Sequence, residues 1–164
     1  KLTLLKARAE ALPASIVRFW WAFGETIAGR HLRDMLRTAA AGEPVRVPAG
    51  CGGSFLSMED LNLAMELILL KPRSLGQTFN LASAYVTWEE IARMAVEATG
   101  ASARVEVVPP AEWTGAAFLA DWWELDDSRI RELLGFKPAR DPAGLRDALR
   151  RAIARTWNQM GQGL

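Results

Sequence analysis

The sequence has little of what disulfides, metal sites, membranes or nucleic acids require. Cys51 is the only cysteine and His31 the only histidine in 164 residues, which argues against an intramolecular disulfide or a cysteine-based metal cluster within this sequence. Lys and Arg number 20 against 19 for Asp and Glu, so there is no basic excess for nucleic acid. The longest apolar run, 61–70, is too short to cross a bilayer. We therefore expect a cytoplasmic protein with no metal, membrane or nucleic-acid partner.

Short apolar stretches alternate with helical patterns, which predicts an α/β chain rather than a helical bundle. About three or four strands are predicted, at 14–19, 45–47, 77–81 and 104–108. Helices are predicted before residue 12 and at 30–41, 58–70, 88–99, 128–134 and from 142 onward, with a loop at 48–53. The strand near Ile16 would leave an apolar edge unpaired if the chain stood alone, which indicates a missing partner sheet.

Local signals predict the starts of three helices. Ser57 with Asp60, and Thr87 with Glu90, have the spacing of capping boxes, in which side chains satisfy amides of the first helical turn. Asp141 precedes a proline in the first helical position. Asp60 is therefore interpreted as a helix-capping carboxylate before a functional acid.

Five segments in order resemble the extended short-chain dehydrogenases, the family of NAD-dependent epimerases, dehydratases and reductases. They are LPASIVRF at 12–19 with the WWAFGE loop that follows it, GEPVRV at 42–47, SFLSMEDL at 54–61, GQTFNLAS at 76–83 and DDSRIRELLGFKP at 126–138. The resemblance implies the C-terminal, substrate-binding portion of a Rossmann-like α/β fold, with few short strands and flanking helices. Within a single domain over 1–164, it implies that 1–27 end the Rossmann-like part, 28–157 form the substrate lobe and closing helices, and 158–164 form a frayed tail.

Two features typical of that family are absent from the sequence. It has no Gly-x-x-Gly-x-x-Gly turn for a dinucleotide and no Tyr-x-x-x-Lys pair for proton transfer. Lys1 and Lys6 are the candidates for the catalytic lysine, although a solvated helix position is the favoured interpretation of each. Gly53 stands where many relatives carry an arginine for the substrate diphosphate, and Trp21 where they often carry asparagine. Both departures argue against a nucleotide-sugar substrate.

By resemblance, the complete protein would transfer hydride to or from NAD or NADP on a hydroxyl- or carbonyl-bearing small molecule, and this chain alone would be inactive. Cofactor contacts are expected from Arg18, Trp20, Trp21 and Phe23. Substrate contacts are expected from Trp21, Gly53, Ser54, Phe55, Ser57, Asn80, Tyr85, Trp113, Trp122 and Trp123. The expected partner is the nucleotide-binding half or a second copy of the chain. The alternative is a non-catalytic dehydrogenase-like module that binds a ligand or a protein through its tryptophans.

Two uses fit the adjacent pairs Trp20–Trp21 and Trp122–Trp123. They could line an apolar substrate pocket, with Trp113 or Trp122 as its roof, or fill the interface with the nucleotide-binding half. Trp88 and Trp157, at helical positions, are expected in the core.

Other polar residues have a structural use that is the more common one. Asn80 is expected to tie neighbouring backbone together rather than to bind substrate. Cys51 has no adjacent cation to lower its pKa, so an inert thiol is expected. His31 lies between arginines and is expected to be solvated, as is the arginine-rich helical face at 146–155.

Overall fold

The computed structural model describes residues 13–161 together with positions 5, 6 and 10. Within 13–161 there are five α-helices, which are α1 (Arg30–Ala40), α2 (Met58–Leu70), α3 (Trp88–Thr99), α4 (Ser128–Leu134) and α5 (Pro142–Gly161). All five were predicted, although α5 continues through Asn158 to Gly161, where a frayed tail was expected. The helix predicted before residue 12 lies almost entirely outside the described residues. None of the described helices is both long and apolar enough to cross a membrane.

Short strands are more numerous than the sequence predicted. The described range holds eight, which are β1 (Ile16–Arg18), β2 (Trp21–Phe23), β3 (Val45–Pro48), β4 (Gly52–Ser57), β5 (Thr78–Asn80), β6 (Ala84–Thr87), β7 (Val105–Val108) and β8 (Trp122–Trp123). The prediction of loops at 21–23 and 52–53 was wrong, because both segments belong to strands. These strands have two to six residues and depend on pairing with distant segments, so their own sequences give weak signals.

The strands form three small sheets. β1 pairs with β5, and β3 with β7, both in parallel. β4 is the centre of the third sheet, where it pairs with β2 and β8 in parallel and with β6 antiparallel. The chain therefore passes from one sheet to another between β1 and β2, across residues 19 and 20.

β4 lies between two hydrophobic cores and serves both. Phe55 belongs to a core built with α1, α3 and α5, whereas Leu56 belongs to a second core with α2, β5 and α4. Because successive side chains of a strand point to opposite faces, one strand can supply both cores. All six residues of β4 are buried as a result, and this removes the alternation of polar and apolar residues by which a strand is recognised.

Helix caps agree with the sequence at most positions. Thr87 and Glu90 form a complete capping box at α3, and Gly100 ends that helix in the left-handed conformation with φ 65°. The Asp141 carboxylate accepts a hydrogen bond from the Gly144 amide at 2.7 Å, at the start of α5. At α2 the Ser57 hydroxyl caps the helix, but the Asp60 side chain has other partners, described below.

The predicted edge strand is confirmed. Within the described residues, β1 hydrogen-bonds on one side only, to β5, with Arg18 opposite Asn80 at the carboxyl end of both strands. Among residues 13–161 no strand pairs with the other side of β1, which is therefore a sheet edge in the described part of the chain.

Candidate functional site

Five aromatic rings form a cluster beside β4. The Trp20 ring is 5.5 Å from Trp21, 5.4 Å from Phe55 and 5.5 Å from Trp88 between centroids, edge to face in each case. Trp21 stacks on Phe55 at 5.7 Å, and Phe118 meets Trp88 at 6.3 Å. Such pairs contribute about 0.5–1.5 kcal/mol each beyond the burial of area. The rings therefore pack against one another and leave no open cavity between them.

Two members of the cluster show how tightly it is held. The Trp21 indole donates from Nε1 to the Ala28 carbonyl oxygen at 2.8 Å. Trp88 is buried, as predicted, and its Nε1 has no acceptor among the described residues. The rings of Trp20 and Trp21 pack against Trp88 at steep angles of 63° and 65°, with centroids 5.5 and 5.6 Å away. Trp157, the other expected core residue, packs half-buried against the same core.

The indole of Trp20 covers Gly53. A Cβ added to Gly53 would lie 2.3 Å from the Trp20 ring, far inside van der Waals contact. Trp123 is the neighbour of Gly53 on β8, and its Nε1 donates to the Phe118 carbonyl oxygen at 2.8 Å. Residues opposite each other in paired strands project to the same face, so Trp123 lies on the face that Trp20 occupies. We call the surface of Trp20, Gly53 and Trp123 the tryptophan face.

Trp122 and Tyr85 lie on the other face of the sheet. Trp122 is 61% exposed, and it alternates with Trp123 along β8. The Tyr85 hydroxyl donates to the Gly50 carbonyl oxygen at 3.2 Å, and the Trp122 ring approaches the same glycine. The structure thus separates residues that the sequence placed around one substrate cavity.

Several predicted substrate contacts are interior residues. Ser54, Phe55 and Ser57 are each at most 5% exposed, and Phe23, a predicted cofactor contact, is 3% exposed. The Ser54 hydroxyl accepts a hydrogen bond from the Leu125 amide at 2.9 Å, which fixes the segment after β8. These side chains are almost inaccessible to solvent, so they support the site and do not line its surface.

Asn80 has the structural role that was expected. Its Nδ2 donates to the Asp126 carbonyl oxygen at 3.0 Å, so it also holds the segment between β8 and α4, although it is only half-buried. Trp113 lies apart from these residues, in a groove of about 230 Å³ beside His31 on α1. His31 is half-buried, with its ring 4.7 Å from that of Phe118, so the expectation of a solvated histidine was wrong.

Lys1 lies outside the described residues, and Lys6 is an exposed side chain 3.8 Å from Glu10. The solvated interpretation of Lys6 is confirmed. No proton-transfer lysine can be assigned within the described residues.

The charged groups near β4 and β6 are acidic or paired. The Cys51 thiol is buried, and its pKa is raised by desolvation and by the Asp121 carboxylate. The pKa of Tyr85 is also raised, by burial and then by the charges of Cys51, Glu124 and Glu90. No cation contributes to either shift. Cys51 is thus the inert thiol that was expected.

The arginine-rich face of α5 is more ordered than predicted. Arg146 pairs with Glu90 at 2.6 Å and also donates to the Tyr85 carbonyl oxygen, while Arg150 pairs with Glu97 at 3.1 Å. Burial raises the pKa of Glu90, but hydrogen bonds from Thr87 and Arg146 outweigh it and hold the pKa below its ordinary value. These two arginines bind α5 to α3 rather than facing solvent freely.

A second depression, of about 300 Å³, opens at the carboxyl ends of β2 and β4. Arg140, Arg151 and Arg155 line it together with Glu25 and Glu59, and Arg140 pairs with Glu59 at 2.7 Å. The sequence did not predict this groove, because its arginines come from two separate segments. Three arginines thus face two glutamates in this depression, and the ion pair shown there joins Arg140 to Glu59.

Asp60 is the interior residue that sequence reasoning misassigned. It is fully buried, and its carboxylate accepts hydrogen bonds from the Ser83 hydroxyl and from the Ala139 amide, the latter at 2.7 Å. It therefore connects α2 to the loops before β6 and α5. The Ser57–Asp60 spacing suggested only the local cap, since both other partners are distant in sequence.

Comparisons with known proteins give the fold. No protein-family model and no curated protein matches the sequence. Among solved structures, an epimerase from Methanothermobacter thermautotrophicus is 16% identical, with a TM-score of 0.69 over 99% of this chain and 49% of that one. The chain has the fold of half an epimerase or dehydratase.

Further solved enzymes have the same fold. A dTDP-glucose 4,6-dehydratase from Streptomyces venezuelae, with NAD and TYD bound, is 17% identical with a TM-score of 0.67, over 99% of this chain and 48% of that one. A UDP-glucose 4-epimerase from Thermotoga maritima, with UDP-glucose, is 17% identical with a TM-score of 0.67, over 97% of this chain and 50% of that one. The predicted epimerase/dehydratase fold is confirmed, and the chain spans about half the length of these relatives.

Proposed function

We propose that this chain is the substrate-binding part of an NAD(P)-dependent epimerase, dehydratase or reductase that acts on a hydroxyl- or carbonyl-bearing small molecule. The observation that carries the proposal is the match of fold over about half of enzymes solved with NAD or with a nucleotide sugar. The remaining half would supply the dinucleotide-binding turn, which this sequence lacks.

Two surfaces support a nucleotide-binding half as the missing neighbour. β1 has one unpaired side within the described residues, where a further parallel strand would continue the sheet. α2 exposes large apolar side chains, among them Leu69 at 79% and Leu70 at 70%. Scattered exposed leucines are normal in proteins, so the open side of β1 is the stronger of the two supports. A partner domain would continue the sheet there.

The residues at the carboxyl end of β1 fit a dinucleotide in part. In open α/β sheets ligands bind outside the carboxyl ends of the parallel strands, and here Arg18 and Asn80 end β1 and β5 side by side. Arg18 is exposed and can pair with a phosphate, and Trp20, two residues on, can flank the nicotinamide. Trp21 and Phe23 lie deeper and would support these two from below.

The bound nicotinamide would supply the hydride chemistry. The described residues would orient the substrate and exclude water, since their aromatic rings form a firm apolar wall. The proton-transfer group would come from the other half. The chain alone is therefore expected to be inactive.

The test compares this chain with the product of the reading frame extended upstream. We expect NADH fluorescence titration to show no binding by the 164-residue chain and binding by the longer product, with hydride transfer to a carbonyl substrate. Arg18→Ala should weaken NADH binding by the longer product, while Arg73→Ala, at an exposed position after α2, should not. Tight NADH binding by the 164-residue chain would contradict the proposal. A longer product without a Gly-rich turn and without NADH binding would favour the non-catalytic module.

A further inference from the structure

The depression at the carboxyl ends of β2 and β4 gathers arginines from two separate segments. Arg140 comes from the loop before α5, and Arg151 and Arg155 come from successive turns of α5. All three residues are exposed, and all three line one concavity of about 300 Å³. The fold therefore brings three cationic residues to a single space that opens to solvent.

Two of these arginines have no ion-pair partner among the described residues. Arg146 and Arg150, on the same helix, pair with carboxylates of α3 at 2.6 and 3.1 Å. Arg151 and Arg155 form no such pair within residues 13–161, although they lie four residues apart on one helical face. Like charges at this spacing repel each other, so an anion held between them would relieve an unfavourable arrangement.

Small side chains of α5 leave room beside the arginines. Ala148 and Ala152 lie one helical turn apart and line the depression, and the buried residues Phe23 and Ser57 form another part of its wall. A volume of about 300 Å³ is at the lower end of the range of about 300–1,000 Å³ for small-molecule pockets. The space suits a small ligand, and a dinucleotide would be too large for it.

The charges of the depression favour a ligand with more than one negative charge. Glu25 and Glu59 also line it, and Glu59 is engaged with Arg140 at 2.7 Å. A phosphate monoester carries about −1.5 to −2 at pH 7, and its oxygens match the planar donors of guanidinium groups. One phosphate can therefore accept hydrogen bonds from both Arg151 and Arg155, whereas a neutral ligand would leave their charges unmatched.

We infer that this depression binds a small phosphate monoester. Arg151 and Arg155 hold the phosphate, the organic part lies beside Ala148 and Ala152, and Glu59 competes with the ligand for Arg140. The inference does not depend on the proposed function, since described residues of this chain form the whole depression.

The binding test is an NMR titration of the ¹⁵N-labelled 164-residue chain at constant ionic strength. Ribose 5-phosphate is the monoester probe, and inorganic phosphate and ribose are tested separately. We expect ribose 5-phosphate to shift the amide signals of Gly24, Met58 and Arg151 with a dissociation constant on the order of 1 mM, as for a small ligand on an open site. Inorganic phosphate should bind several-fold more weakly at the same signals, and ribose should not bind.

Loss of either free arginine should weaken binding more than loss of a similar arginine elsewhere. Arg151→Gln and Arg155→Gln should each raise the dissociation constant of ribose 5-phosphate about tenfold, because each removes a charge-assisted contact. Arg104→Gln is the charge-matched control, since Arg104 is exposed, lies outside the depression and forms no ion pair within the described range. It should change the constant less than about twofold, because salt screens distant charges.

Removal of the competing carboxylate should have the opposite effect. Glu59→Gln releases Arg140 and removes a repelling charge, so it should lower the dissociation constant several-fold. Glu43→Gln, at an exposed position outside the depression, should leave it unchanged. Changes of opposite sign at Glu59 and Arg151 distinguish contact with the ligand from a general loss of structure.

Several results would overturn the inference. They are no shift with ribose 5-phosphate at about 20 mM, well above the expected constant, or equal weakening by Arg151→Gln and Arg104→Gln. Inorganic phosphate binding as tightly as ribose 5-phosphate would leave an anion site and overturn the monoester. Loss of the response in the product extended upstream would indicate that a protein segment covers the depression instead. The NADH and hydride-transfer measurements decide the proposed function separately.

Discussion

Removing the buried Asp60 carboxylate should destabilise the folded chain far more than removing an exposed carboxylate on a helix surface. Asp60 is fully buried at the first turn of α2. Its oxygens accept hydrogen bonds from the Ser83 hydroxyl and from the Ala139 amide, which lie 23 and 79 residues away in sequence. The carboxylate also lies at the positive end of the helix dipole, which favours its charge. One side chain thus fastens three segments.

The magnitude follows from what each substitution leaves unsatisfied. A hydrogen bond to a charged group contributes about 1.5–3 kcal/mol to stability. A buried donor that loses its acceptor lowers the stability by its full desolvation penalty. Asp60→Ala removes both bonds, so we expect a loss of about 3–5 kcal/mol in the free energy of unfolding. Asp60→Asn keeps one acceptor oxygen but turns an NH₂ group toward a donor, and it should lose about 1.5–3 kcal/mol.

Urea unfolding followed by circular dichroism measures these losses, and the m-value should stay constant if only stability changes. A thermal scan should show a fall of about 6–20 °C for Asp60→Ala, at about 2–4 °C per kcal/mol for a chain of this size. Asp147→Ala is the control, because Asp147 is exposed and pairs with Arg150 at 2.6 Å on the surface of α5. It should cost less than about 1 kcal/mol. A loss below about 1 kcal/mol for Asp60→Ala would refute this reasoning.

Three further predictions concern charge, reactivity and surface. The folded state holds the pKa of Glu90 below its ordinary value, so the ionised side chain stabilises the fold above about pH 4.3 and this stabilisation is lost as the pH falls. In Glu90→Gln, the free energy of unfolding should therefore decrease less on acidification. Cys51 should react slowly with DTNB in the folded chain and fully in urea, since it is buried and its pKa is raised. Leu69→Lys should reduce light scattering by self-association and leave the urea midpoint unchanged, because Leu69 is 79% exposed.

Each of these predictions has its own contrary result. If the free energy of unfolding of Glu90→Gln decreased with falling pH as steeply as that of the native chain, the pair with Arg146 would contribute nothing to the pH dependence. Rapid labelling of Cys51 at neutral pH in the folded chain would show that the region opens readily. For the surface of α2, Ile68→Lys is the matched change, because Ile68 is 8% exposed and its substitution should destabilise strongly. Equal effects of the two lysine substitutions would contradict the assignment of Leu69 to the open side of α2.

Helices and their ends could be predicted because their signals are local. Thr87 and Glu90 are three residues apart and need only each other to form the capping box, and Gly100 ends the helix through its own backbone conformation. Asp60 shows the limit of this reasoning. Its spacing from Ser57 suggested the same motif, but the carboxylate accepts hydrogen bonds from the Ser83 hydroxyl and the Ala139 amide instead, and both are distant in sequence.

Strands β4 and β8 could not be predicted, because each depends on partners that the local sequence does not reveal. β4 begins with two glycines and is buried throughout, so it lacks alternation and β propensity at its start. β8 has two residues and exists through its pairing with β4. The sequence therefore suggested one surface with all four paired tryptophans, whereas strand alternation places Trp122 and Trp123 on opposite faces.

Gly53 shows how a single position can be noticed from sequence and explained only by structure. Its lack of a cationic side chain distinguished it within the resemblance, but a lost arginine alone would leave a gap that another cation could fill. The indole of Trp20, 33 positions earlier in the sequence, occupies that space instead. An arginine placed at position 53 would therefore collide with the Trp20 ring unless that side chain were also reduced in size. The two positions have to be read together, and only their contact in the folded chain shows that they belong together.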